Sequence, residues 1–180
     1  MEKNSLVIDL SHHNTVTDFD KIPAIGIIHK ASEGLSMTDQ KYTPRKDAWQ
    51  DRGKLFGAYH FIRNNGIKEA KYFLNFVKPD DKTLLALDWE VAIGKGQCED
   101  FVKVIYDTVG RYPLFYLNNS MLNSNNFENS ILLNCPLWVA RYGKSPVIPD
   151  CFGKYALWQY TESGTNLVDS SGRFTQRVGN

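Results

Sequence analysis

A basic excess, the usual footprint of a nucleic-acid binder, is missing from this chain. Its 21 Lys and Arg residues stand against 20 Asp and Glu, a formal net charge of +1. Nucleic acid is therefore not an expected partner. Cysteine is sparse: Cys98, Cys135 and Cys151 are odd in number and far apart, which fits neither a disulfide framework nor a zinc site. They read as free thiols. No apolar run approaches the roughly 20 residues of a membrane-spanning helix, so membrane insertion is not expected. The opening Met1-Glu2-Lys3-Asn4-Ser5 lacks the basic start and apolar stretch of a secretory leader. Synthesis in the cytoplasm is the expectation. Gly94-Lys95-Gly96 lacks the flanks of a phosphate loop, and no Gly-x-Ser-x-Gly elbow occurs, so neither nucleotide nor serine-hydrolase chemistry is indicated.

What is present suits one globular domain spanning residues 1–180, with 42% apolar and 23% charged residues. Strand-like apolar runs cover 6–10, 25–29, 55–61, 83–89 and 114–117. Helical signals fall between them. Asp18 caps a brief helix to Ile22, stopped by Pro23, and Thr43-Pro44 opens another that Gly53 ends. Residues 67–77 and 97–109 carry helical spacing, closed by Pro79 and Gly110. After residue 118 the rhythm changes. Only short helical pieces fit 118–134, and runs at 137–140, 155–160 and 166–168 are joined by segments too short for crossover helices. Five β/α units followed by three strands indicate an α/β barrel. A full barrel takes about 250 residues, so a compact, flattened form lacking its last helices is expected.

The informative pattern is where acids fall. Asp9 ends Leu6-Val7-Ile8-Asp9, Asp88 and Glu90 end Leu84-Leu85-Ala86-Leu87-Asp88-Trp89-Glu90, and Asp169 ends Leu167-Val168-Asp169. Each stands at the carboxyl end of an apolar strand, where parallel α/β folds build their sites. Asp88 and Glu90 are two apart on one strand, so they leave the same face with Cα atoms roughly 6–7 Å apart, and Trp89 points the other way. Two carboxyls that close cannot both ionise freely, and one should keep its proton. A protonated acid beside a negative group is what glycosidic cleavage needs. Aromatic residues, 13% of the chain, supply flat faces on which sugar rings pack.

Histidines offer a rival reading. His12 and His13 follow Asp9, and His29 and His60 end their strands, which resembles a divalent-metal site of a barrel hydrolase. No His-x-His pair or His-Glu-x-x-His helix is present, and adjacent His12 and His13 should diverge. Hydrogen-bonding histidines in a polar pocket fit better, so no metal and no cofactor is expected.

Seven ordered segments resemble glycoside hydrolase family 25, the N-acetylmuramidase lysozymes. They are Val7-Ile8-Asp9-Leu10-Ser11-His12, the Asp18-to-Ile22 segment leading into His29-Lys30-Ala31-Ser32-Glu33-Gly34, Gly57-Ala58-Tyr59-His60-Phe61, Leu87-Asp88-Trp89-Glu90, Leu137-Trp138-Val139-Ala140, Trp158-Gln159-Tyr160-Thr161 and Val168-Asp169. The resemblance implies an α/β single-domain flattened (β/α)5β3 TIM-like barrel. It implies cleavage of the β-1,4 bond between N-acetylmuramic acid and N-acetylglucosamine in peptidoglycan glycan strands. Glu90 would be the proton donor, Asp88 would position the substrate's 2-acetamido group as internal nucleophile, and Asp9 and Asp169 would complete the acidic cluster. Tyr59, Tyr116, Trp138, His60, Glu33 and Gln159 would bind substrate. Ser32 stands where threonine is usual, and Ser170-Ser171-Gly172 follows Asp169 where the family often has asparagine two residues on. A monomer acting on the cell wall after lysis or dedicated delivery is the expectation, with delivery machinery or an inhibitor protein as partners. The alternatives are an inactive wall carbohydrate-binding module and a metal-dependent barrel hydrolase.

Overall fold

The structure, a computed structural model, describes residues 6–161 and 177–178. Strands β1 (Val7–Leu10), β2 (Gly26–Glu33), β4 (Leu55–Phe61), β5 (Leu84–Asp88), β6 (Leu114–Asn118), β7 (Leu137–Ala140) and β8 (Leu157–Gln159) pair in parallel, in that order. Two short strands add antiparallel edges: β3 (Met37–Thr38) on β2 and β9 (Arg177–Val178) on β8. Helices α1 (Tyr42–Gln50), α2 (Gly66–Val77) and α3 (Lys95–Val109) are the crossovers after β3, β4 and β5. The curled sheet is the expected flattened barrel. Its two parallel end strands meet through a side chain, Gln159 Nε2 donating to Asp9 Oδ2 at 3.1 Å.

Strand alternation sorts residues into two cores. Ile8, Leu85, Leu87, Trp89, Phe115, Leu117 and Val139 face outward onto the helices and are buried among Phe73, Phe101, Val102 and Ile105. Ile28, Ala86, Leu114, Tyr116, Trp138, Ala140 and Leu157 fill the concave side. Small residues at Ala86 and Ala140 leave room there that large ones at Tyr116 and Trp138 partly fill. After β6 only a six-residue helix α4 (Asn119–Ser124) and a 3-10 turn at Ile131–Asn134 intervene. The late connections are as short as the sequence reading expected.

Three local expectations are corrected. No helix follows Asp18; its Oδ1 instead accepts from Asp20 N at 2.9 Å and the chain makes isolated turns before Pro23. Thr43 does not cap α1, which starts at Tyr42 with Lys41 before it, while Asp39 Oδ1 accepts from Lys41 N. Strand β2 runs on to Glu33 instead of stopping at His29, because a bulge between Lys30 and Ser32 absorbs Ala31 and lets pairing with β4 continue.

The loops after β1 are held from behind by a buried polar knot. Arg45 of α1 donates to Ser11 O, to Asn14 O and to His29 Nε2 at 2.9 Å. His29 Nδ1 donates to Lys30 O at 2.7 Å, so both ring nitrogens are committed to the neutral form. Burial pushes its pKa down from 6.5 to about 4. The unfolded chain therefore takes up a proton below pH 6.5 that the folded chain refuses. This contribution is complete above pH 6.5 and is lost as pH falls toward 4, amounting to at most roughly 3 kcal/mol. Urea unfolding between pH 7 and pH 4 should show that decline, with a shallower slope in His29→Gln. A wild-type stability flat across the window would contradict it.

Candidate active site

The concave face opens at the carboxyl edge of the sheet, and inward-pointing residues of five strands converge there. Asp9 comes from β1, Tyr59 from β4, Asp88 from β5, Tyr116 from β6 and Trp138 from β7. With Glu90, just past β5, they line a cleft of about 250 Å³ that opens to solvent. Register brings them level: Phe61 pairs with Asp88, Asp88 with Tyr116, and Tyr116 with Trp138.

Asp88 forms the floor and Glu90 the lip. Asp88 is 5% exposed, whereas Glu90 is exposed. Burial, the Glu90 charge and the Asp9 charge, in that order, raise the Asp88 pKa well above the usual carboxylate range. Lys30 opposes this only in part, and the nearness of the Glu90 carboxyl favours the protonated form further. Asp88 is thus the carboxyl of the cleft that tends to keep its proton. The Oδ1 atom of Asp88 is buried without a hydrogen-bond partner. So is Nε1 of Trp138. An unpaired buried polar atom costs about 1–3 kcal/mol. Among the described residues only three side-chain atoms are left this way, and two of them belong to residues lining this cleft. An acceptor and a donor are held in readiness for something that enters.

Aromatic walls flank the acids. Trp138 packs edge-on against Tyr116, with centroids 4.6 Å apart, and against Tyr59 at 6.5 Å. Tyr116 OH donates to Gln159 Oε1 at 2.7 Å, and Tyr142 OH reaches the same oxygen at 3.3 Å. Gln159 is 1% exposed. It supports Asp9 and Tyr116 from beneath and does not itself line the cleft.

His60 does not reach the cleft, which corrects the expectation that it binds substrate. It alternates with Tyr59, so it faces the helices and stacks on Phe101 at 5.3 Å. Its ring bridges Ser32 Oγ (2.8 Å) and Glu69 Oε2 (2.9 Å). Glu69 also accepts the backbone N–H groups of Arg63, Asn64 and Asn65, fixing the turn after β4, and its pKa falls to about 2. Glu33 stands level with Phe61, but Lys30 and Arg63 occupy its two oxygens. Asp169 lies outside the described residues. The histidines do not converge: His12 bonds Asp39, and His12 and His13 lie ring to ring at 3.8 Å instead of diverging. Among the described residues no group of three or more His, Cys, Asp or Glu side chains is placed to hold a metal ion.

Sequence reasoning missed Lys30, whose charge acts on Asp88, and Arg63, which with Lys30 occupies Glu33. Lys30 did carry a signal, being a cation inside an otherwise buried strand.

A curled parallel sheet with neighbouring carboxyls at its carboxyl edge and aromatic walls beside them is the arrangement of the carboxylate-dependent barrel glycosidases as a class. The model of the glycosyl hydrolases family 25 matches residues 8–167, and the chain belongs to that family. It is 30% identical over 173 residues to an autolytic lysozyme of Clostridium acetobutylicum, covering 88% of this chain and 51% of that protein. It is 28% identical over 181 residues to lysozyme M1 of Streptomyces globisporus, covering 87% of this chain and 62% of the relative. The chain thus spans about half to three fifths of the curated relatives it matches. A bacterial lysozyme structure from Streptomyces coelicolor shares the fold, with a TM-score of 0.86 at 24% identity, covering 100% of this chain and 94% of the other.

Proposed function

We propose that this chain is a single catalytic domain that cleaves the β-1,4 bond between N-acetylmuramic acid and N-acetylglucosamine in peptidoglycan. One observation carries the reading: a buried Asp88, held toward its protonated form by burial and the Glu90 and Asp9 charges, shares an aromatic-walled cleft with an exposed Glu90. The family and the names of the two lysozyme relatives support the choice of substrate.

The sugar stacks against Tyr59 and Trp138, and its 2-acetamido N–H donates to the unpaired Asp88 Oδ1. That bond favours the anionic form of Asp88, whose proton passes to Glu90. Glu90 then protonates the glycosidic oxygen as the C–O bond breaks. The acetamido carbonyl oxygen attacks the anomeric carbon from the opposite face, forming a cyclic oxazolinium ion that anionic Asp88 stabilises. Water, deprotonated by Glu90, opens the ring with net retention. Asp9, held by Gln159, favours the protonated form of Asp88 in the free enzyme by its negative charge. The enzyme acts on the cell wall.

Mass spectrometry of digested peptidoglycan tests this, with new reducing muramic ends as the expected product. Cleavage that leaves reducing glucosamine ends, or only cut peptide stems, would overturn it.

A further inference from the structure

A buried cation lies on the concave face that the proposed chemistry does not use. Lys30 sits in the middle of β2, with its side chain 10% exposed. It is two residues past Ile28, which fills the concave side, so it leaves the same face. Its register partner is Tyr59, a wall of the cleft. The ammonium reaches along that face onto the Phe61 ring, with Nζ 5.0 Å from the centroid. Phe61 in turn stands level with Asp88 on the next strand. A positive charge is thereby buried beside the strand that carries Asp88, at the height of its carboxyl end.

A carboxylate holds the ammonium there. Lys30 Nζ donates to Glu33 Oε2. On a regular strand, residues three apart face opposite sides, and the bulge between Lys30 and Ser32 returns Glu33 to the side of Lys30. Glu33 does not serve Lys30 alone, because Arg63 Nε donates to its other oxygen at 2.8 Å. Two cations share one anion, so part of the Lys30 charge is left uncancelled.

The other groups that face Asp88 are acidic or neutral. Asp9 from β1 and Glu90 past β5 favour its protonated form, while Tyr59 from β4, Tyr116 from β6 and Trp138 from β7 line the same cleft. Burial, then the Glu90, Asp88 and Asp9 charges, keep the Tyr116 hydroxyl neutral. Among the described residues, Lys30 is the cation whose charge reaches Asp88, and it favours the anion. A lysine in direct contact would pin Asp88 as an anion and leave no proton to pass on. Burial among acids with no cation near would lock the proton in place. A cation tethered one side chain away leaves both forms within reach.

We propose that Lys30 is a positioning residue: held off Asp88 by Glu33, it supplies the positive charge against which Asp88 yields its proton when substrate binds. This rests on the muramidase reading above and deepens it.

The test titrates the Asp88 carboxyl by carbon-13 NMR, assigned with Asp88→Asn, beside the pH dependence of kcat/KM on peptidoglycan. Lys30→Met should raise the Asp88 midpoint by about 0.5–1 on the pH scale, the reach of one charge across a partly buried gap. The alkaline limb of kcat/KM, where the acid pair loses its last proton, should move up with it while kcat falls. Glu33→Gln should move midpoint and limb the other way, because the Lys30 charge then has no counter-ion. Lys30→Arg should stay near wild type. A mere brace for β2 would not give shifts of opposite sign. A midpoint unmoved in Lys30→Met, or displaced in one direction by both Lys30→Met and Glu33→Gln, would overturn the proposal. Should Lys30→Met fail to fold, Glu33→Gln decides, and a midpoint unmoved or raised there overturns it equally. Midpoints that shift as expected in a protein that cuts no glycan would remove the muramidase reading and leave the charge arrangement standing.

Discussion

Glu90→Gln folds as wild type does and loses about 10²–10⁴-fold in glycan cleavage, the usual span for a general acid. Glu90 sits at an exposed lip, outside the packed core, and no ion pair among the described residues depends on it. Glutamine keeps its shape and takes away only the transferable proton. The loss should therefore fall on kcat, with KM little moved, because the aromatic walls still bind sugar. Thermal melting beside single-turnover kinetics would check both halves. A variant that cleared walls at the wild-type rate would end the assignment.

Asp88→Asn should lose about 10²–10³-fold in activity, comparable to removing a preorganised charge-stabilising group, yet melt at a higher temperature than wild type at neutral pH. The folded-state pKa of Asp88 lies above its unfolded value of 3.8, through burial first and then the Glu90 and Asp9 charges. Above pH 3.8 the unfolded chain releases this proton more readily than the folded one. Ionisable Asp88 therefore costs stability, and the cost grows as pH rises from 3.8 toward the folded pKa. Asparagine escapes it. The stability gap between variant and wild type should be widest near pH 7 and close below about pH 3.8, with roughly 2–4 °C of melting temperature per kcal/mol in a chain this size. An Asp88→Asn protein less stable than wild type at pH 7 would mean that the site is not strained as described. Activity bought with stability is the usual trade at a catalytic centre.

Much of the frame was legible because strands announce themselves twice, by apolar runs and by what ends them. The runs at 55–61 and 137–140 coincide with β4 and β7 to the residue. Asp9, Asp88 and Glu90 gather at one cleft because parallel strands bring all their carboxyl ends to one edge. His60 was misplaced for a reason the sequence contained: Tyr59 and His60 are neighbours on a strand, and only one of two neighbours can face the concave side. Tyr59 does.

Other features had no local signal. The bulge that aligns Lys30 with Glu33 depends on the register of β2 against β4, which no single segment encodes. Arg63 follows the end of β4, where nothing local marks it as a partner of Glu33. Gln159 looked like a ligand-binding amide, but its reach across the open side of the sheet to Asp9 is a matter of curvature. The Asp18 segment failed as a helix because Asp18 and Asp20 make local turns that compete with helical bonding.

The most direct test of the central claim, that the Asp88–Glu90 pair cuts the glycan, is a count of new reducing muramic ends. Wild type and Glu90→Gln would be given the same peptidoglycan at equal folded concentration. Such ends should accumulate with wild type and stay near background with the variant. Equal yields from both, or no muramic ends from wild type, would contradict the account.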